Sequence, residues 1–131
     1  MNASNILKEC NIKPSLIRIM VLDYLKNTKS HPTVEEIFNE LSPKIPTLSK
    51  TSVYNTVKLL TQNKLAIVLT IDSEQVRYDA DVSIHGHFMC DSCKKVVDFP
   101  LDELGFEELK GFDIKNKNVY FSGTCRNCLN K

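Results

Sequence analysis

The chain has 131 residues, 17 Lys and Arg against 16 Asp and Glu for a formal net charge of +1, and 42% hydrophobic residues. That length makes one ordinary domain, or two small ones that draw stability from a metal or a partner. No apolar run approaches the roughly 20 residues that span a bilayer, so a cytoplasmic protein is expected, and any surface for nucleic acid has to be sought locally rather than in the overall charge.

From Ser15, a plausible N-cap, the residues Ile17, Met20, Val21, Tyr24 and Leu25 recur at helical spacing. Thr33-Val34-Glu35-Glu36 has the form of a capping box and opens a second helix, with Val34, Ile37, Phe38 and Leu41 on its buried side and Pro43 and Pro46 ending it. Ser49 or Thr51 caps a third. Its apolar face is Val53, Val57 and Leu60, and its other face Thr51, Tyr54, Asn55 and Lys58. The β-rich Leu65 to Ile71, a turn at Asp72-Ser73-Glu74 and the alternating Val76-Arg77-Tyr78 then predict a two-stranded ribbon.

Helices followed by a ribbon suggest a winged helix-turn-helix over residues 1–80, with the third helix entering the major groove. Ser49, Lys50, Thr51 and Ser52 would meet phosphates, and Tyr54 and Asn55 base edges. From Leu41 to Ile71 there is no acidic residue, while Lys44, Lys50, Lys58 and Lys64 are present. A phosphate backbone can approach such a stretch. A solvated polar helix face explains the composition equally well; the tyrosine on that face favours a contact surface.

The second half, residues 81–131, carries two C-x-x-C pairs, Cys90/Cys93 and Cys125/Cys128, separated by about 31 residues. Two such pairs complete the tetrahedral four-thiolate shell of structural zinc and would staple the chain's end to a hairpin-like turn. Two disulfides are the competing reading. They would leave Cys10 odd in an oxidising compartment, and no secretory leader is evident. Cys10 itself reads as a half-buried helix residue. On a strand, His85 and His87 point to one side and Phe88 and Cys90 to the other. Val96-Val97-Asp98-Phe99 is the expected partner strand, bringing Asp98 within reach of both imidazoles. Leu101 to Leu109 reads as a short helix and Val119-Tyr120-Phe121 as a last strand, for an α+β chain ending in a small α/β domain. By itself an H-x-H pair is more often two satisfied or solvent-facing histidines than a metal site, and His31, ahead of Pro32, is by itself a loop residue.

Taken together, Ser30-His31-Pro32-Thr33-Val34-Glu35-Glu36-Ile37, the segment from Ser49 through Tyr54-Asn55, Arg77-Tyr78-Asp79, the run His85-x-His87-x-x-Cys90-x-x-Cys93-x-x-Val96-Val97-Asp98-Phe99 and Gly123-x-Cys125-x-x-Cys128 resemble the ferric uptake regulator (Fur) family over nearly the whole chain. The resemblance implies a homodimeric, metal-dependent transcriptional repressor, with an N-terminal winged helix on palindromic DNA and a C-terminal dimerisation domain. It also implies structural zinc on the four cysteines and a regulatory Fe²⁺ or Mn²⁺ on His31, Asp79, His85, His87 and Asp98, donors suited to such ions. Metal would clasp the two domains, and its loss would free a hinge near residues 79 to 84. No enzymatic activity is expected.

Both carboxylates of that set are Asp, which is similar to the peroxide-sensing, PerR-like branch rather than to iron-uptake regulators, where Glu is more frequent. In that branch, bound Fe²⁺ reacts with hydrogen peroxide and oxygen is added to a ligating histidine, by position His31 or His85; manganese does not do this. A metal-uptake regulator without peroxide sensing is the alternative. The chain departs from the family pattern at Ser15-Leu16-Ile17-Arg18, which keeps the Arg of a T-P-Q-R turn without its Pro. Arg18 is still expected to contact phosphate. Two other classes fit less well. A zinc deaminase needs an H-x-E glutamate where His85-Gly86-His87 has histidine, and a simple zinc-ribbon binding module leaves the His/Asp set unexplained.

Overall fold

The computed structural model describes residues 2–101 and 105–131. It divides into two compact units, Met1–Val82 and Ser83–Lys131.

The first unit is four helices and a two-stranded antiparallel ribbon. Helix α1 (Ala3–Glu9) opens with the Asn2 side chain accepting from the Asn5 N–H, and α2 (Leu16–Asn27) opens with Ser15 accepting from Arg18 N–H. The capping box over Thr33–Glu36 forms and starts α3 (Val34–Leu41); Ser49, not Thr51, caps α4 (Lys50–Gln62). Each cap satisfies an N–H that the first helical turn leaves without an intrahelical partner. Strands β1 (Ile67–Leu69) and β2 (Arg77–Asp79) pair with Val68 opposite Tyr78, so the wing is shorter than Leu65–Ile71, and Val76 lies just outside it.

Val53, Val57 and Leu60 of α4 are fully buried with Val21, Leu22 and Leu25 of α2 and Ile37 and Leu41 of α3. Val34 and Phe38 are only partly buried against this core. The extent of helix α1 was not expected. Its Leu7 is fully buried and its Ala3 nearly so, but seven residues are too few to form a helix without tertiary packing. Cys10 is half-buried, as the sequence suggests, and stands at the C-cap of α1 rather than within it.

The second unit is a three-stranded sheet in the order β4-β3-β5, with β3 (His85–Cys90) in the centre. Strand β4 (Val96–Pro100) runs antiparallel to β3, and β5 (Tyr120–Gly123) parallel to it. The register puts His87 opposite Asp98 and Gly86 opposite Phe99. The Phe99 ring covers Gly86 so closely that a Cβ there would collide with it, and it stacks on Phe121 at 5.1 Å between centroids. Glycine between the two histidines is therefore a steric requirement of the aromatic face. The helix expected over Leu101–Leu109 falls partly on residues 102–104, outside the described residues. Of the remainder, Glu107–Leu109 makes one 3-10 turn. The short helix α5 (Arg126–Leu129) follows β5.

Candidate metal centres

The four cysteines come together at one end of the second sheet. Cys90 ends β3, Cys93 lies in the turn to β4, and Cys125 and Cys128 flank the start of α5. Lys94, at φ +65°, folds that turn back so that the Lys94 N–H reaches the Cys90 carbonyl and the Cys90 N–H reaches Lys95 O. All four sulfurs lie within 4.8 Å of one another, and Cys93 Sγ and Cys125 Sγ are 3.8 Å apart. A tetrahedral shell with Zn–S near 2.3 Å has a sulfur–sulfur edge of about 3.8 Å. The Cys93 and Cys125 backbone N–H groups point at Cys90 Sγ from 3.5 and 3.3 Å, and hold its thiol down at about 6. The Cys128 N–H likewise lowers Cys125, whereas Cys128, donating to the Cys125 and Cys90 sulfurs, is pushed up to about 12. Four thiols so close together cannot all ionise without a cation among them. The spacing and donor chemistry suit structural zinc, as the C-x-x-C spacing predicts.

The five residues of the expected regulatory set are ordered within each unit. In the first, Asp79 Oδ1 accepts from the Asp81 N–H at 2.8 Å, and its Oδ2 faces His31 Nε2 at 3.6 Å. His31 is a buried non-glycine residue at φ +54°, a conformation that costs an L-residue about 1–2 kcal/mol. In the second unit the two imidazoles are side by side, 4.3 Å between centroids, as their alternation on β3 requires. His87 Nε2 and His85 Nε2 approach the same oxygen, Asp98 Oδ1, at 3.2 and 3.5 Å. His85 Nδ1 donates to the Ser83 carbonyl at 2.8 Å, which orients the ring and leaves Nε2 as the nitrogen available to a metal. Nitrogen and carboxylate donors of this kind suit Fe²⁺ or Mn²⁺.

The residues expected to meet DNA divide into two groups. Thr51, Tyr54, Asn55 and Lys58 are exposed along one side of α4. Ser49 and Ser52 are occupied with each other: Ser49 Oγ accepts from the Ser52 N–H at 3.0 Å, and Ser52 Oγ donates to Ser49 O at 2.8 Å. Lys50 Nζ pairs with Glu35 Oε1 at 3.3 Å, and the Arg18 guanidinium donates to Lys13 O at 3.0 Å.

Sequence reasoning attached no role to Arg77 or Asp72. Arg77 Nε donates to Asp72 Oδ2 at 3.1 Å, and both side chains are nearly buried. The Glu74 N–H, donating to Asp72 Oδ1 at 2.9 Å, and the Arg77 guanidinium hold the Asp72 carboxyl below the usual carboxylate range. Strand alternation gave no signal for it: Arg77 and its neighbour Tyr78 are both buried, although alternation would turn one of them outward.

The sequence pattern described as the ferric uptake regulator family matches residues 9–122. The chain is 33% identical over 132 aligned residues to the peroxide operon regulator of Bacillus subtilis, covering 95% of this chain and 90% of that one. It is 28% identical over 130 residues to the peroxide-responsive repressor PerR of Staphylococcus aureus, covering 95% and 88%. Among solved structures, the fold is similar to the ferric uptake regulator of Pseudomonas aeruginosa with manganese, at a TM-score of 0.76 and 19% identity, over 96% of this chain and 99% of that one. It is also similar to PerR from Streptococcus pyogenes, at a TM-score of 0.57 and 24% identity, over 98% and 94%.

Proposed function

Because the chain belongs to the ferric uptake regulator family, we propose that it is a homodimeric repressor whose grip on palindromic operator DNA depends on a bound divalent metal and is released by hydrogen peroxide. The first unit reads DNA and the second dimerises. The pair His31/Asp79 and the trio His85/His87/Asp98 serve one regulatory ion, which acts as a clasp that favours the DNA-binding arrangement of the dimer. Exposed Phe112, Phe121 and Leu129 in the second unit, 55 to 70% accessible, support an apolar contact with a second copy. The acid-free, lysine-bearing run through α4 supports contact with phosphates.

The observation that carries the metal-dependent part is the paired ordering of histidine and aspartate in each unit. Each imidazole Nε2 faces a carboxylate oxygen, and His85 is further oriented from behind by the Ser83 carbonyl. Peroxide sensing is supported by Asp at both carboxylate positions and by the peroxide-responsive relatives. Fe²⁺ held by these residues would supply the electron that cleaves hydrogen peroxide to hydroxide and a hydroxyl-radical-like oxidant, leaving Fe³⁺, and the ligand imidazoles would be the groups nearest that oxidant. By the family resemblance, His31 or His85 is the imidazole that takes the oxygen. An oxidised imidazole binds metal poorly, so the clasp is lost and repression ends.

The test is anaerobic loading with Fe²⁺, one brief peroxide pulse and peptide-resolved mass spectrometry, with a Mn²⁺-loaded control. Added oxygen on His31 or His85 in the iron sample alone is expected. Unmodified histidines in a protein that still binds DNA with metal would reassign the chain as a metal-uptake regulator. His87→Ala is expected to keep its zinc and lose Mn²⁺-stimulated DNA binding; an unchanged metal response in that variant refutes the ligand set.

A further inference from the structure

We propose that Arg77 is the positioning residue for the ligand His31, so that the geometry of the wing and that of the metal-binding imidazole are set together. The inference rests on His31 being a regulatory ligand. A non-glycine residue at φ +54° ahead of a proline keeps that conformation only where its surroundings over-determine it. Three successive residues of β2 do so. Arg77 Nη1 donates to His31 O at 3.2 Å, the Tyr78 N–H donates to Pro32 O at 3.0 Å, and Asp79 Oδ2 faces His31 Nε2 at 3.6 Å. The first two clamp consecutive carbonyls of the backbone, and the third meets the ring itself.

The guanidinium is itself anchored. Its Nε bonds Asp72 in the turn between the wing strands, and Asp72 is locked in turn by the Glu74 N–H. Arg77 Nη1 is also 3.7 Å from Glu36 Oε1, the carboxylate that closes the capping box of α3 on the Thr33 N–H, two residues beyond His31. A flat, forked cation can serve the turn, the His31 carbonyl and the helix cap at once, whereas an ammonium is a single point charge. Displacement of the wing turn, by DNA or by mutation, is therefore passed through a rigid side chain to the His31 backbone. Because linkage is reciprocal, metal on His31 restrains the wing to the same degree.

The test uses the full-length, zinc-loaded Arg77→Lys protein. Zinc content and melting should stay near wild type, while the Mn²⁺ dissociation constant rises about 10–100-fold, as on loss of a group that orients a ligand. After the Fe²⁺ and peroxide pulse, the ratio of oxidised His31 to oxidised His85 should fall severalfold, because only His31 has lost its clamp. An unchanged ratio overturns the proposal even if Mn²⁺ affinity falls, since uniform loosening of the site would affect both histidines alike. If Arg77→Lys does not fold, Asp72→Asn, which keeps the guanidinium but weakens its anchor, is read by its Mn²⁺ affinity and oxidation ratio and should shift the ratio in the same direction. Failure of the underlying reading shows first in the wild type and in His87→Ala. If the wild type binds Mn²⁺ but is not oxidised, Mn²⁺ affinity alone decides, and a wild-type value in the variant overturns the proposal.

Discussion

Asp72 shows how one carboxylate in a turn governs a larger geometry. Its charge is favoured in the folded protein by the Glu74 N–H and by Arg77, so its folded pKa lies below the ordinary 3.8. The stabilisation from a depressed carboxylate is complete above the unfolded pKa and is lost as pH falls through the folded one. Asp72→Asn should accordingly lower the stability of the first unit by about 1 kcal/mol at neutral pH, through the weakened charged hydrogen bond. The deficit should narrow as the wild type is acidified below about pH 4, as followed by thermal melting across a pH series. A deficit independent of pH would mean that packing, not charge, is what Asp72 contributes. None of this was legible beforehand: Asp72 and Arg77 are five residues apart in a predicted ribbon, and the bond from Arg77 to the His31 carbonyl spans 46 positions.

Helix α4 is the element on which fold and recognition meet, and its two faces separate them. Val53, Val57 and Leu60 are buried completely, and their helical spacing in the sequence was enough to predict it. On the polar side the structure shows which hydroxyls are engaged within the helix. Ser49 and Ser52 form a reciprocal cap, so Ser49→Ala should cost about 1 kcal/mol of stability, whereas Lys58→Ala, on the exposed face, should leave melting unchanged. In DNA titrations over a range of salt, Lys58→Ala should weaken binding to all sequences alike and reduce the slope of log K against log salt by about one. An unaltered slope would remove Lys58 from the phosphate contacts. Composition alone could not divide the serines from the lysine, because a hydroxyl serves a cap and a phosphate equally well, and only the coordinates show which hydroxyls are already occupied.

For the molecule as a whole, zinc is expected to be part of the folded state rather than an addition to it. The second unit has a small sheet, few buried residues and several exposed large apolar side chains, so the four-cysteine closure has to supply much of its order. Cys93→Ser should lose zinc and abolish the stable dimer in sedimentation, with the first unit still melting cooperatively. A variant that remained dimeric without zinc would contradict this. The same closure makes zinc retention depend on pH: acid returns protons to the thiolates, and Cys128, held at about 12 by its neighbours, is the sulfur that most needs the cation to stay ionised.

The amino-acid sequence by itself determined the local order: where three helices begin, that a ribbon follows them, and which histidines share a face of β3. Each of these depends on residues within a turn or two of one another, through caps, periodicity and strand alternation. C-x-x-C spacing likewise announced a four-thiolate closure, because two such pairs have few other uses. Tertiary structure alone decided that α1 forms, that Phe99 makes Gly86 obligatory, and that Arg77 holds the His31 backbone in a left-handed turn. All three rest on contacts between side chains and segments brought together by folding, and no spacing along the chain encodes the distance between them.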